Sequence, residues 1–162
     1  SVTGVQTCAL PIYLVSGVGG EPWRGPGDFL QIGNAAENVR VERNTVLQTG
    51  RSLNIHGQSH GVEGPGFVFR GNVLRHNRYG VFGTATGIGN PVLARFFPGA
   101  VFEGNVVAGG VASQYPQGNR FIAADALESE DAAARFANAG ADLSALRAVA
   151  QAAIGAPRRT GN

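Results

Sequence analysis

The chain has 162 residues, 43% of them hydrophobic and 15% charged, enough apolar material for a buried core and too little charge for a disordered tail. Its thirteen basic side chains are all arginines set against eleven acids, for a formal net charge of +2, so it lacks the basic stripe that marks a nucleic-acid binder. No apolar run approaches the roughly 18–20 residues that cross a bilayer, and the single cysteine, Cys8, has no internal disulfide partner.

In chain order, the opening SVTGVQTCALPI lacks the basic start and small-residue cleavage site of a secretory leader. Residues 2–12 resemble the conceptual translation of a common sequencing adapter, which implies a non-native segment over 1–12 and leaves Cys8 uninformative about redox compartment. The alternative is a genuine N-terminal strand. Beyond it, 25 glycines and 8 prolines imply many tight turns. Short strand candidates fall at 29–32, 53–55 and 79–82.

Three segments align without gaps: VRVERNTV at 39–46, FVFRGNVL at 67–74 and AVFEGNVV at 100–107. Each alternates with period two on both sides of an asparagine, a pattern of strand, sharp bend and strand. The asparagines Asn44, Asn72 and Asn105 are 28 and 33 residues apart, too irregular for helical repeat arrays. Strands this short bury their inward side chains when successive repeats stack in parallel register about 4.8 Å apart. The spacing therefore predicts a parallel β-helix with an internal asparagine ladder, each amide donating to one coil and accepting from the other. The asparagine is also expected to take the left-handed dihedrals of the bend. Glu42, Arg70 and Glu103 form a column of alternating sign, read as structural.

These repeats resemble those of right-handed parallel β-helix proteins of the pectate-lyase-like superfamily, and more closely the C-terminal coils of large bacterial β-helix repeat proteins. The resemblance covers roughly residues 28–121 and rests on NVRVERNTV, GFVFRGNVL, YGVFG, FFPGAVFEGNVVAGG and YPQGNRF. It implies an all-β solenoid, a right-handed parallel β-helix of about three to four coils over 13–122. Further coils upstream would be its structural partner, its setting extracellular or at the cell surface, and its ligand a polysaccharide. The superfamily includes lyases, hydrolases, esterases, tailspikes and adhesins, so fold alone does not choose an activity.

From residue 123 alanine dominates and glycine nearly vanishes. Helices are predicted near 126–138 and 143–154, the second with Asp142 as N-cap, Leu143, Leu146, Val149 and Ile154 near one face, and Gly155 and Pro157 as a stop. The reading is a C-terminal α-helical cap over 123–157 that covers the open end of the coils, followed by a frayed tail at 158–162.

If the bend is placed as in the superfamily, the groove-side positions are Gln31, Asn54 and His56, with Arg51, Arg75, His76 and Arg78 on adjoining loops. Guanidinium forks match carboxylates in a bidentate way, so this cluster fits an acidic polysaccharide; the alternative is a set of solvated loop residues. Calcium-dependent lyases need grouped acidic oxygens and an Arg or Lys base, and hydrolases need close carboxylates. Between residues 13 and 120 there are only Asp28 and five scattered glutamates, so neither catalytic set transfers. No cofactor and no metal are expected; His56, His60 and Glu63 would form at most a chance site on a loop. Trp23, Phe96 and Phe97 are candidates for stacking on sugar, though packing of the 84–98 insert against the coils is the simpler account of the two phenylalanines. Two readings stand: a polysaccharide lyase or hydrolase whose catalytic coils lie elsewhere, or a non-catalytic surface or adhesion repeat protein.

Overall fold

The computed structural model describes residues 6–8, 12–13, 26–33, 36–56 and 64–127. Its strands are short, as frequent glycine and proline require: β1 (Gln6–Cys8), β2 (Ile12–Tyr13), β3 (Leu30–Gly33), β4 (Arg40–Glu42), β5 (Thr45–Val46), β6 (Leu53–His56), β7 (Val68–Arg70), β8 (Val73–Arg75), β9 (Val81–Gly83), β10 (Gly87–Ile88), β11 (Val101–Glu103), β12 (Val106–Ala108) and β13 (Arg120–Ile122). Among the described residues one α-helix, α1 (Asn90–Phe96), stands between β10 and β11.

The chain deals these strands to three sheets in rotation. The first sheet has the order β1-β4-β7-β11, the second β13-β12-β8-β5-β2, and the third β10-β9-β6-β3. All pairings are parallel except β9 with β10, a short antiparallel return. Parallel neighbours need a crossover, and here each runs through strands of the other two sheets, except that β12 reaches β13 through a loop holding the short 3-10 turn Ala112–Gln114. Val41, Phe69 and Phe102 are register partners across the first sheet, and Leu53 pairs with Val81 in the third. That last pairing fixes a register the sequence leaves open by two residues and places Tyr79 in the turn before β9. The segments Gln6–Cys8 and Ile12–Tyr13 pair with β4 and β5.

Between the first and second sheets the chain bends at a stack of buried asparagines. Asn44 Nδ2 donates to Asn72 Oδ1 at 2.9 Å, Asn72 Nδ2 to Asn105 Oδ1 at 3.1 Å, and Asn105 Nδ2 to Asn119 Oδ1 at 2.8 Å. The same oxygens accept the backbone N–H of Asn44, Asn72 and Asn105 at 3.0, 2.9 and 3.0 Å. Asn72 and Asn105 also donate back to the carbonyls of Val41 and Phe69, one pass earlier. The fourth rung, Asn119, closes the stack by donating to Phe102 O and Pro116 O. At the other end, Asn44 Oδ1 is buried without a hydrogen-bond partner among the described residues.

The left-handed dihedral of the bend belongs to the residue before each asparagine, a correction to the expectation from sequence. Arg43, Gly71 and Gly104 have φ of 56°, 65° and 64°. Glycine takes this conformation without a Cβ clash, whereas Arg43 carries a cost of about 1–2 kcal/mol. The ladder asparagines themselves stay out of the positive-φ region and spend their amides on the ladder.

Inside the three sheets, Val41, Phe69 and Phe102 meet Val46, Leu74 and Val107 and the third sheet's Ile32, Leu53, Ile55 and Val81 in one core. Phe69 and Phe102 stack at 5.2 Å between centroids, and Phe67 and Phe97 at 4.2 Å. The insert at 84–98 is an ordered part of this core. Its helix carries Pro91 in the first turn, where there is no backbone bond to lose, and buries Val92, Leu93 and Phe96. The approach is so close that a Cβ on Gly83 would lie 2.6 Å from the Phe96 ring. At the far end Tyr115 leans on Phe102 and Phe121, and its hydroxyl accepts the Val81 N–H at 3.2 Å. Outside, Arg70 turns to Glu42 at 2.6 Å rather than to Glu103. Burial works against ionisation of Glu42, but hydrogen bonds from Arg70 and Arg40 outweigh it and hold its carboxyl below the usual range. The helices expected at 126–138 and 143–154 lie outside the described residues, apart from a turn that includes Ala126 and Leu127.

Asn72→Ala leaves the buried Asn44 N–H without its acceptor and removes one donor each from Val41 O and Asn105 Oδ1, and should cost about 2–4 kcal/mol in urea denaturation, given about 1–3 kcal/mol per orphaned buried group. Asn119→Ala, at the half-buried end, should cost less. Burial also pushes the Tyr115 hydroxyl up to about 12. The neutral phenol is therefore favoured in the folded state, and its contribution is complete below the unfolded value of about 10 and is lost as pH rises toward 12, an effect on the order of 2–3 kcal/mol. Tyr115→Phe should flatten that alkaline limb in melts taken between these pH values.

Candidate functional site

Parallel register sets Gln31, Asn54 and Phe82 in one outward row across β3, β6 and β9. Beside this row the loops before β3, β6 and β9 enclose a cleft of about 210 Å³, lined by Pro26, Asp28, Gly50, Arg51, Arg78 and Tyr79 among others. The volume falls below the roughly 300–1,000 Å³ of a drug-sized pocket, so the cleft suits a single ring-sized group.

Asp28 organises its floor. The Asp28 side chain is only 1% exposed. Its Oδ1 accepts the Arg51 backbone N–H at 2.7 Å, and its Oδ2 accepts Arg51 Nη1 at 2.9 Å and Asn54 Nδ2 at 3.0 Å. The backbone clamps the same two loops together, Gly50 N–H to Gly27 O and Phe29 N–H to Arg51 O, both at 2.9 Å. Arg51 is thereby neutralised and pinned, with its guanidinium 5.0 Å from the Phe82 ring and 5.6 Å from Tyr79. Arg78 differs. It is exposed, lies 5.0 Å from the Tyr79 centroid, and has no acidic partner among the described residues. Stacking on an aromatic face holds a guanidinium plane without consuming its hydrogen-bond donors.

The predicted site residues separate into two groups. Arg51, Asn54 and Arg78 come together at the cleft, with Gln31 exposed in the adjoining row. His56 is exposed at the end of β6, where its ring packs over Gly33 at the far end of the row from Asp28. Arg75 and His76 are not groove residues. Arg75 is part of β8 in the second sheet, and its backbone pairs with the side chain of buried Gln48 through its N–H and carbonyl. His76 is 5% exposed, edge-on to Tyr115 at 5.6 Å, and its Nδ1 donates to Asn77 O at 2.9 Å. A reversal of the chain one residue past β8 carries it under the loop instead of into the groove. His60, Glu63 and Trp23 lie outside the described residues, whereas Phe96 and Phe97 are core residues and offer no ring to a ligand.

Tyr79, Phe82 and Asp28 are the site residues that sequence reasoning passed over. Their signal was available: once Val81 points inward, strand alternation turns Phe82 outward, and Tyr79 adjoins Arg78. Among the described residues no three His, Cys, Asp or Glu side chains gather as a metal site. The cleft's own carboxylate has both oxygens committed to Arg51 and Asn54. What the arrangement offers is recognition: an aromatic ring, a guanidinium with no acidic partner among the described residues, and a neighbouring amide row. No family model, curated protein or solved structure matches the chain.

Asp28→Ala leaves the Arg51 guanidinium and backbone N–H without their acceptor. Because Arg51 stays partly solvated, the loss should be about 2 kcal/mol, below the 3–5 of a fully buried pair. Asp28→Asn, which keeps the backbone bond, should lose about half of that in the same urea titration.

Proposed function

We propose that this chain is a length of right-handed parallel β-helix of the pectate-lyase-like kind, and that its cleft contacts an acidic carbohydrate outside the cell. Rotation of the chain through three parallel sheets, with an asparagine ladder at one corner, supports the architectural half of this reading. The observation that carries the functional half is Arg78, a guanidinium without an acidic partner among the described residues, lying over the Tyr79 ring at the mouth of a ring-sized cleft. Tyr79 positions the Arg78 guanidinium and lines the cleft beside it, and Arg78 offers a fork to a carboxylate. Gln31 and Asn54 extend the contact along the strands as amide donors and acceptors.

Two forms of this role differ in their chemistry. One is a polysaccharide lyase or hydrolase whose catalytic coils lie elsewhere; the other is a non-catalytic surface or adhesion repeat. Full engagement of Asp28 favours the second, because a carboxylate bonded through both oxygens is not placed to move a proton to or from a substrate.

Titration calorimetry with a uronic-acid oligosaccharide and a neutral one of the same linkage tests the proposal. The acidic ligand should bind about tenfold more tightly, and Arg78→Ala and Tyr79→Ala should each weaken it by about tenfold, or 1.4 kcal/mol. Arg95→Ala, on the exposed side of α1, should change nothing. Equal affinity for the two ligands, or indifference to Arg78 and Tyr79, would overturn the reading. Unsaturated product or new reducing ends in the same mixtures would move the assignment to the enzymatic form.

A further inference from the structure

The loops that carry the cleft are stacked position for position. Val46 pairs with Leu74 and Leu53 with Val81, and the connecting loops, 47–52 in one pass and 75–80 in the next, are equal in length. Asn77 therefore follows Thr49 in the stack, Arg78 follows Gly50, and Tyr79 follows Arg51.

The later of these loops is a tight turn, closed by the Gly80 N–H on His76 O at 2.7 Å. Backbone clamps its end, where Gly80 O accepts the N–H of Ser52 and Leu53 at 2.9 and 3.2 Å. Its start rests on His76, whose N–H donates to Ala108 O at 2.8 Å and whose buried ring donates through Nδ1 to Asn77 O at 2.9 Å. Arg78 and Tyr79 stand between these two anchors.

The Asn77 side chain ties the turn to the loop of the preceding pass. Its Nδ2 donates to Gln48 O at 2.9 Å and to Gly50 O at 2.8 Å. A primary amide carries two hydrogens on one nitrogen, so it bridges two carbonyls where a hydroxyl serves only one. Asn77 also has a φ of 52°, in the left-handed region that asparagine tolerates better than most residues with a Cβ. The carbonyls it grips are themselves fixed. Gly50 is pressed so closely on the first loop that a Cβ there would lie 2.5 Å from Asp28 Oδ1 and from Pro26 O, and Asp28 holds the next residue, Arg51, by its backbone N–H.

We propose that Asn77 is the positioning residue of the cleft: its carboxamide sets the Arg78–Tyr79 turn against the Gly50–Arg51 loop, and thereby gives the cleft its preference for an acidic ligand. The ligand's identity rests on the carbohydrate reading above; the hold on the turn does not.

The test uses the full chain and Asn77→Gly, which accepts positive φ and removes only the amide. Trypsin cleavage of the Arg78–Tyr79 bond reads the freedom of the turn without any ligand. Relative to the same change in a free peptide of residues 72–84, Asn77→Gly should speed that cleavage by about tenfold and leave cleavage after exposed Arg43 unchanged. In titration calorimetry, the preference of about tenfold for a uronic-acid over a neutral oligosaccharide should shrink to about twofold, with the neutral ligand's affinity kept. A merely destabilising change would instead speed cleavage at both arginines. An unchanged rate at Arg78, an equal rise at Arg43, or an acidic preference that survives Asn77→Gly would each overturn the assignment. If the unsubstituted protein shows no acidic preference, the carbohydrate reading fails, and the cleavage rates still decide whether Asn77 holds the turn. Should Asn77→Gly fail to fold, side-chain amide exchange in the intact protein decides: the Asn77 hydrogens should exchange about fivefold more slowly than those of exposed Gln31, and equal rates would refute the hold.

Discussion

Everything in this fold depends on keeping successive passes of the chain in register, and the asparagine ladder is the interaction that does so. Sheet hydrogen bonds alone specify register weakly where strands are two to four residues long, because a slip forfeits few bonds. A buried amide has no such tolerance. Moving one pass by a single residue would replace an asparagine by glycine, valine, threonine or arginine, none of which reproduces the amide, and leave donors and acceptors unsatisfied in the interior. The ladder thus converts a small difference in strand pairing into a large one, and the aromatic stack of Phe69 on Phe102 follows from the register it imposes.

The cleft inherits its geometry from the same constraint. With the corner between the first and second sheets fixed, each pass reaches the third sheet in step, and the outward row of Gln31, Asn54 and Phe82 forms from residues 23 to 28 positions apart in sequence. Variation in pass length is absorbed beyond this row, where α1 fills the insert of the third pass with buried Val92, Leu93 and Phe96. Asp28 then locks one loop to the next. Its bonds to Arg51 and Asn54 span 23 and 26 residues and hold a loop from one pass against a strand of the next, so that the Arg78–Tyr79 pair presents to a rigid floor.

How much of this was readable differs by level. Three asparagines at one alignment position, with period-two flanks, carried enough information to expect strands around a bend and a stack of amides, because few other arrangements give a buried Asn column a use. Asn119, although part of the YPQGNRF motif, stands outside the three-segment alignment because its segment lacks the apolar run that introduces the others. The bend itself was assigned one residue late, since an asparagine and a preceding glycine are both tolerant of positive φ and the sequence does not rank them. The site was harder. Arg51 and Arg78 were visible as arginines near a groove, but their different roles depend on where Asp28 sits, a fact about distance and not about composition. His76 was misplaced for a related reason: a buried histidine and a loop histidine look alike until the turn after β8 is drawn.

The ladder also has a polarity. Each amide passes its hydrogen toward the higher-numbered pass, so the carboxamide dipoles point the same way and add, much as peptide dipoles do along a helix. Asn119 terminates one end by giving its hydrogens to Phe102 O and Pro116 O, while Asn44 holds an oxygen with no partner among the described residues at the other. The stack is therefore a one-way polymer in miniature. A duplicated repeat inserted ahead of Asn44 would find an acceptor waiting for its amide, whereas one inserted after Asn119 would find its place already taken.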